Sequence, residues 1–167
     1  NARRRECDNA FKKLKEKKPN LKSLCDLKPK DAEFIKSNLQ NKEMRRALYV
    51  SAEQDRVNQA VKAIKKGSVK DLGNLILKTH DGLSKLYEVS TAELDILVEE
   101  AINMDGVMGV CMIGTGFGGG VLMFLKKTEV ENVIENLYSK YKEKTRRDAD
   151  VYIVKPSNGA RILPIEE

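Results

Sequence analysis

The stretch VMGVCMIGTGFGGGVLMFL, residues 107–125, decides how the second half of this chain folds. Two short segments rich in apolar residues, 107–113 and 120–127, flank a run of closely spaced glycines. Short apolar segments bounded by glycine are typical of buried strands, so the stretch predicts two strands joined by a loop. Because glycine is entropically costly, the run also indicates a backbone path that side chains would block.

The glycine run allows two interpretations. Gly114, Gly116 and Gly119 satisfy G-x-G-x-x-G, but a dinucleotide-binding fingerprint requires a helix to follow at once, and here a strand follows. No Gly-Lys-Ser/Thr closes the run, which excludes a Walker A loop. The run is therefore either a glycine-rich hairpin with a bulge or a loop whose exposed amides bind an anion. Phe117 favours more than a hairpin, because a lone aromatic among glycines indicates an anchor against a core or a partner domain.

Helical periodicity dominates the part of the chain before this stretch. Apolar residues recur at helical spacing in residues 3–18, 31–39, 42–66, 68–83 and 90–104. In the third of these segments Val57, Val61 and Ile64 form an apolar stripe. Ser90 with Glu93 forms a capping box at the start of the fifth.

The pattern after residue 105 changes period. A helix is predicted over residues 128–144, a third strand over 150–156, and an edge strand or a tail over 159–165. The order helix, strand, strand, helix, strand indicates an α+β fold, with an antiparallel sheet that carries helices on one face. It matches the split βαβ, ferredoxin-like plan if one more strand comes from elsewhere. A helical portion over about 3–105 would precede the strand-containing portion over about 106–167.

Composition and charge exclude several classes of protein. With 41% hydrophobic and 34% charged residues, the 167-residue chain is typical of a globular domain and not of a disordered one. No apolar run approaches the roughly 20 residues of a membrane span. The formal net charge is +6, and the densest basic run covers residues 11–18. Because Cys7, Phe11 and Leu14 recur at helical spacing there, the lysines are assigned to a solvated helix face. Neither nucleic-acid nor membrane binding is predicted.

The reactive side chains offer little catalytic equipment. Cys7, Cys25 and Cys111 are odd in number and lack C-x-x-C spacing, which indicates reduced thiols in the cytoplasm. The one histidine, His80, lies beside Thr79 near a predicted helix end and is assigned a packing or capping role. No Ser/His/Asp set, metal-ligand cluster or carboxylate pair stands out, so no catalytic and no metal-binding residue is predicted in this chain.

Several stretches carry a combination that occurs in one known family. They are HDGLSKLYEVSTAELDILV (residues 80–98), GVMGVCMIGTGFGGG (106–120), the helix positions Arg46, Glu53 and Arg56, and PSNGAR (156–161). In the same order, they resemble four features of galactokinases: the YEVS and ELD-x-LV region, the glycine-rich third motif, the R-x-x-H-x-x-x-E-x-x-R helix and the closing P-x-x-GA stretch. Galactokinases belong to the GHMP superfamily of small-molecule kinases. The resemblance covers essentially the whole chain.

The resemblance implies a single GHMP-kinase C-terminal domain over residues 1–167. The intact enzyme would transfer the γ-phosphate of ATP to the C1 hydroxyl of galactose, with Mg²⁺ as its metal ion. Family members carry the ATP-binding motif and the catalytic aspartate with its arginine in an N-terminal domain, which this chain is expected to lack. The isolated chain is therefore expected to be inactive. RRREC, residues 3–7, resembles the family segment just behind a substrate-contacting tyrosine, and Asn1 and Ala2 could be a cloning scar.

For the glycine run the resemblance implies a place in the cleft between two domains, near the sugar and the phosphates of ATP. The residues concerned are Gly114, Thr115, Gly116, Phe117, Gly118 and Gly119. The chain departs from the family pattern at Tyr49, Ile113, Thr115 and Gly120. These departures leave the sugar open, with N-acetylgalactosamine or a related sugar as the alternative to galactose. A ferredoxin-like ligand-binding regulatory module is the alternative from another functional class.

Overall fold

The computed structural model describes residues 2–155 and 157–160. Within them, five α-helices are followed by one antiparallel hairpin and a further α-helix, which confirms the predicted α+β class. The helices are α1 (Ala2–Lys17), α2 (Ala32–Asn38), α3 (Asn41–Lys65), α4 (Val69–Gly82), α5 (Ala92–Ile102) and α6 (Val130–Thr145). The strands are β1 (Val107–Ile113) and β2 (Gly120–Leu125). No helix of the described ranges is both long and apolar enough to span a bilayer.

The helix ends follow local signals closely. α1 ends two residues before Pro19, since proline disfavours helical geometry at the residue that precedes it. α3 ends before Gly67, whose φ of +66° suits glycine. The predicted capping box at Ser90 is wrong by one residue. Thr91 has the extended backbone of a capping residue, and its hydroxyl accepts a hydrogen bond from the Leu94 amide at 3.4 Å.

Two main hydrophobic clusters hold these elements. The first joins α1, α2 and α3 through fully buried side chains such as Leu14, Ile35 and Ala47. The second joins α5, α6 and the hairpin around Ala101 and Val110. Burial of this kind is the main favourable contribution to folding, at about 1.5–3 kcal/mol for each large aliphatic side chain.

The apolar stripe predicted on α3 does not face the core. Val57, Val61 and Ile64 are 49%, 47% and 63% exposed, although the helix itself is where the spacing predicts it. The buried face of α3 instead includes Arg46 and Tyr49. Helical spacing shows that side chains share a face, but the packing of the neighbouring helices decides which face is covered.

The β-hairpin packs directly on α4. A Cβ on Gly73 of α4 would lie 1.7 Å from the Met108 carbonyl oxygen, and Gly109 faces Gly73 from β1. Two glycines therefore allow the backbones of α4 and β1 to touch. This contact sets the position of β1 and, with it, of the loop that follows β1.

The sheet has two strands in the described part of the chain, and the third strand predicted over 150–156 is wrong for residues 150–155. That segment has no regular structure, and its Tyr152 is 79% exposed. A strand needs a neighbouring edge for its backbone hydrogen bonds, and no described strand pairs with this segment. Residues 156 and 161–165 of the predicted third and edge strands lie outside the described residues, and Gly159 and Ala160 form no strand.

As predicted, helices lie on one face of β2. Val121 and Met123 of β2 pack against the cluster formed with α5 and α6. Leu122 and Phe124 alternate with them and remain exposed on the opposite face. The helices thus cover one face of β2 and leave the other apolar face open.

Candidate functional site

The glycine run forms the loop between β1 and β2. We call residues 114–119 the glycine loop, which begins after the Ile113–Gly120 pair that closes the hairpin. Its φ angles are +89° at Gly114, +85° at Gly116, +62° at Phe117, +130° at Gly118 and +104° at Gly119. Residues other than glycine rarely adopt such backbone angles, so the predicted need for glycine is confirmed. All six residues predicted for the site lie in this one loop.

The underside of the glycine loop rests on Val89. A Cβ on Gly116 would lie 2.6 Å from both the Cβ and the carbonyl oxygen of Val89. The Phe117 amide donates a hydrogen bond to that same carbonyl at 2.7 Å, the one backbone hydrogen bond that ties the loop to another segment within the described residues. Val89 was not among the predicted site residues, because it lies far from the glycine loop along the chain and no local pattern connects the two.

Phe117 does not anchor the loop in this domain's core. Its side chain is 68% exposed, and the Arg3 guanidinium lies 5.7 Å from the centre of its ring. The backbone amide of Phe117 makes the attachment instead. An anchor against a partner domain stays a prediction, since a ring held out into solvent by a loop of positive φ is available for such a contact.

The open side of the glycine loop offers unshielded backbone. A Cβ on Gly114 or on Gly118 would meet nothing within 4 Å. Backbone amides on such a surface can donate hydrogen bonds to an anion without interference from side chains. The loop therefore has a supported side, at Gly116, and a side on which a ligand can approach the main chain closely.

His80 has a structural position behind the loop. Its side chain is buried, its Nδ1 accepts a hydrogen bond from the Met112 amide at 3.3 Å, and its Nε2 lies 3.2 Å from an Asp95 carboxylate oxygen. Burial lowers the pKa of His80 below 6.5, although Asp95 acts in the opposite direction. With Nδ1 occupied, His80 joins α4, β1 and α5, in agreement with the packing role assigned from the sequence.

We expect His80→Asn to flatten the dependence of stability on pH. The unfolded chain protonates this histidine more readily than the folded one, so stability falls as pH falls below about 6.5. For one proton the slope is at most about 1.4 kcal/mol per pH unit. Asparagine keeps an acceptor for the Met112 amide but does not titrate. Urea unfolding of the chain between pH 7.5 and 5.5 measures this, and equal slopes for both proteins would contradict it.

The three positions that resemble the family's α3 motif lie on one side of that helix. Arg46 is fully buried, and its guanidinium donates to the carboxylates of Glu6 and Glu88. Glu53 accepts a hydrogen bond from Arg56 at 2.8 Å and another from Thr79 of α4 at 3.0 Å. These residues connect helices with one another, and none of them lies in the glycine loop.

Comparison with known proteins agrees with this architecture. The model of the family described as GHMP kinases C terminal matches residues 60–143. Galactokinase from Clostridium perfringens strain 13 is 36% identical over 160 residues, which are 95% of this chain and 41% of that protein. Galactokinase from Bacillus subtilis strain 168 is 36% identical over 164 residues, which are 98% of this chain and 42% of that protein. The chain thus spans about two fifths of the length of the curated relatives it matches.

A solved structure is similar over most of the chain. The crystal structure of Lactococcus lactis galactokinase complexed with galactose matches with a TM-score of 0.86 and 28% identity. The match covers 90% of this chain and 39% of that one. Helices and hairpin therefore have the same arrangement as in part of a larger sugar kinase.

Proposed function

This chain belongs to the family of GHMP kinase C-terminal domains, and on that premise we propose that it is the C-terminal domain of a galactokinase. The intact protein transfers the γ-phosphate of ATP to the C1 hydroxyl of galactose. Similarity to galactokinases over nearly the whole chain supports this substrate, as does the galactose in the similar crystal structure. The domain covers residues 1–167, and a further N-terminal domain provides the rest of the active site.

The glycine loop is the observation that carries the proposal. One side of the loop is seated on Val89, and the other presents backbone without side chains at Gly114 and Gly118. Phosphoryl transfer depends mainly on positioning and electrostatic stabilisation. Backbone amides of a loop that no side chains cover suit both positioning and electrostatic stabilisation, because they can come close to phosphate and sugar oxygens without further rearrangement. The loop forms the floor of the cleft on this side.

The residues of this chain fit ATP better than they fit a metal ion. The loop amides are donors for phosphate oxygens, whereas the described ranges contain no group of three or more His, Cys, Asp or Glu side chains that could hold a metal. We therefore assign Mg²⁺ and the general base to the N-terminal domain. His80 is not the base, since it is buried and its Nδ1 is engaged by the Met112 amide.

The proposed partner of this chain is its own N-terminal domain. Leu122 and Phe124 expose apolar side chains on one face of β2. Exposed apolar surface of this kind is typical of a contact between domains. We further propose a cytoplasmic location, in keeping with the free thiols of the described chain, and no binding to nucleic acid or membranes.

We expect the full-length protein to form galactose 1-phosphate and ADP from galactose and ATP, and the isolated chain to form neither. Residues 2–155 and 157–160 provide the loop but no cluster of side chains that could hold a metal, and their histidine is buried, so we assign the groups that activate the sugar hydroxyl and the phosphate to the N-terminal domain. A coupled ADP assay with chromatographic identification of the sugar phosphate measures this. N-Acetylgalactosamine serves as the competing substrate. Turnover by the isolated chain, or a clear preference of the full-length protein for another substrate, would contradict the proposal.

A further inference from the structure

The turn beneath the glycine loop is held by arginine side chains. We call residues 86–89 the Val89 turn, which includes the last two residues of the π-helical turn Leu83–Tyr87 and the two residues after it. The Arg46 guanidinium donates to the Leu86 carbonyl, and Arg3 donates to the next two carbonyls along the chain, each at 2.7 Å. Carbonyls at a helix end have no amide partner within the helix. The two arginines supply the missing donors and fix three consecutive peptide groups.

Arg46 is itself fixed from several directions. It is fully buried, its Nε donates to Glu6 at 2.6 Å, and its Nη2 donates to Glu88 at 2.7 Å. Because each of its nitrogens has an acceptor, the buried charge is compensated and the guanidinium has one orientation. The hydrogen bond from Arg46 also holds the pKa of Glu88 below its ordinary value, so that carboxylate stays ionised.

The backbone of the Val89 turn needs such support. Glu88 has a φ of +54°, which is uncommon for a residue with a side chain and persists only where its surroundings hold it. Its carboxylate lies between Arg46 and Arg45, the latter at 2.8 Å. The strained residue immediately precedes Val89, so any relaxation of Glu88 would move the Val89 carbonyl and side chain.

Val89 transmits this geometry to the glycine loop. Its amide donates to the Leu83 carbonyl at 3.0 Å, and its carbonyl accepts the Phe117 amide at 2.7 Å. Its side chain fills the space directly under Gly116. A continuous path of contacts therefore runs from Arg46 through Glu88 and Val89 to the loop.

We propose that Arg46 is a positioning residue for the glycine loop and acts through the Val89 turn. The importance of the loop for phosphoryl transfer rests on the function proposed above. Arg46 does not touch the loop, so its effect is transmitted by the peptide groups of residues 86–89. Arg3 also donates a hydrogen bond to the Val89 turn, and its guanidinium lies against the Phe117 ring.

The test uses the full-length protein with Arg46→Lys and with Leu14→Ala as the matched control. Lysine keeps the charge but cannot serve three acceptors in the fork geometry of a guanidinium. Leu14 is equally buried but belongs to the cluster of α1, α2 and α3, away from the turn. Amide hydrogen exchange of the loop and steady-state kinetics are measured on both variants.

We expect Arg46→Lys to speed exchange of the Phe117 amide by about 10-fold or more, because the Val89 carbonyl is no longer held. The value of kcat should fall by about 10-fold with a smaller change in KM, since a displaced loop harms the transition state more than ground-state binding. Leu14→Ala should change neither the Phe117 exchange rate nor kcat at a temperature where it is folded.

The exchange measurement separates this inference from the proposed function. Unchanged exchange at Phe117 in folded Arg46→Lys would overturn the positioning role, whatever the enzyme's substrate is. Faster exchange in a protein that does not phosphorylate sugars would uphold the positioning role and contradict the function. Should Arg46→Lys fail to fold, Glu88→Gln is measured instead, since it keeps the shape of Glu88 but weakens its bond to Arg46. It should change exchange in the same direction, and no change would again overturn the inference.

Discussion

Gly116→Val is expected to lower kcat/KM of the full-length protein for its sugar by about 10²-fold or more, the scale of a displacement of about 1 Å. Two physical reasons act together. The φ of +85° is strained for valine, and the new Cβ would lie 2.6 Å from the carbonyl oxygen and Cβ of Val89. The loop has to move away from Val89. This movement breaks the hydrogen bond from the Phe117 amide to the Val89 carbonyl and displaces the other loop amides.

Gly118→Val and Gly120→Ala separate the causes. At Gly118 the φ is +130° but a Cβ meets nothing within 4 Å, so strain and obstruction of the open side act without a clash on Val89. Gly120 lies in β2, and a Cβ there would make only ordinary contacts of 3.8 Å and more with Ile113. Gly120→Ala should therefore keep kcat/KM within about a factor of three.

Steady-state kinetics at a temperature where circular dichroism shows each variant to be folded is the measurement for this series. A selective loss at Gly116 and Gly118 with normal activity in Gly120→Ala is the expected pattern. Near-normal kcat/KM in both valine variants would mean that the glycine loop only connects two strands. In that case the cleft position that we propose for it is wrong.

Gly73→Ala is expected to lower the free energy of unfolding by about 3 kcal/mol, at the upper end of the usual cost of overpacking. The added Cβ would lie 1.7 Å from the Met108 carbonyl oxygen, a backbone atom that cannot rotate away. α4 and β1 must separate by more than an ångström to accept it. That movement also disturbs the hydrogen bond from the Met112 amide to His80, which joins the same two elements.

Asn74→Ala is the matched control for this change. Asn74 is the next residue of α4 and is exposed, so alanine there should stabilise the helix slightly through its higher helix propensity. Urea unfolding of the two variants beside the parent chain gives the difference directly. If Gly73→Ala were also neutral or stabilising, the direct backbone contact between α4 and β1 would not exist in solution.

Much of the local structure could be predicted from the sequence. β1 was predicted with its observed bounds, because a short apolar run between glycines is typical of a buried strand. The glycine loop was predicted as a backbone path that side chains would block; a Cβ is blocked at Gly116, and the positive φ angles account for the other glycines of the loop. Local sterics determine both features, so a local pattern is sufficient to find them.

Features that depend on a distant partner could not be predicted in the same way. Val57 and Ile64 have the spacing of a buried stripe, yet they are exposed because the neighbouring helices cover a different face of α3. Residues 151–155 have the composition of a strand but form none, since a strand needs a neighbouring edge and no described strand supplies it.

The sequence by itself determined the bounds of β1, the positions of the helices and where the chain requires glycine, but not whether residues 150–155 form a strand. Only the tertiary structure decided what the glycine loop rests on. It brings Val89 beneath Gly116 and sets the Val89 turn by hydrogen bonds from the buried Arg46, which lies far from that turn along the chain. Such contacts have no local periodicity, because they arise from the way separate helices pack and from the need to pair every buried charge.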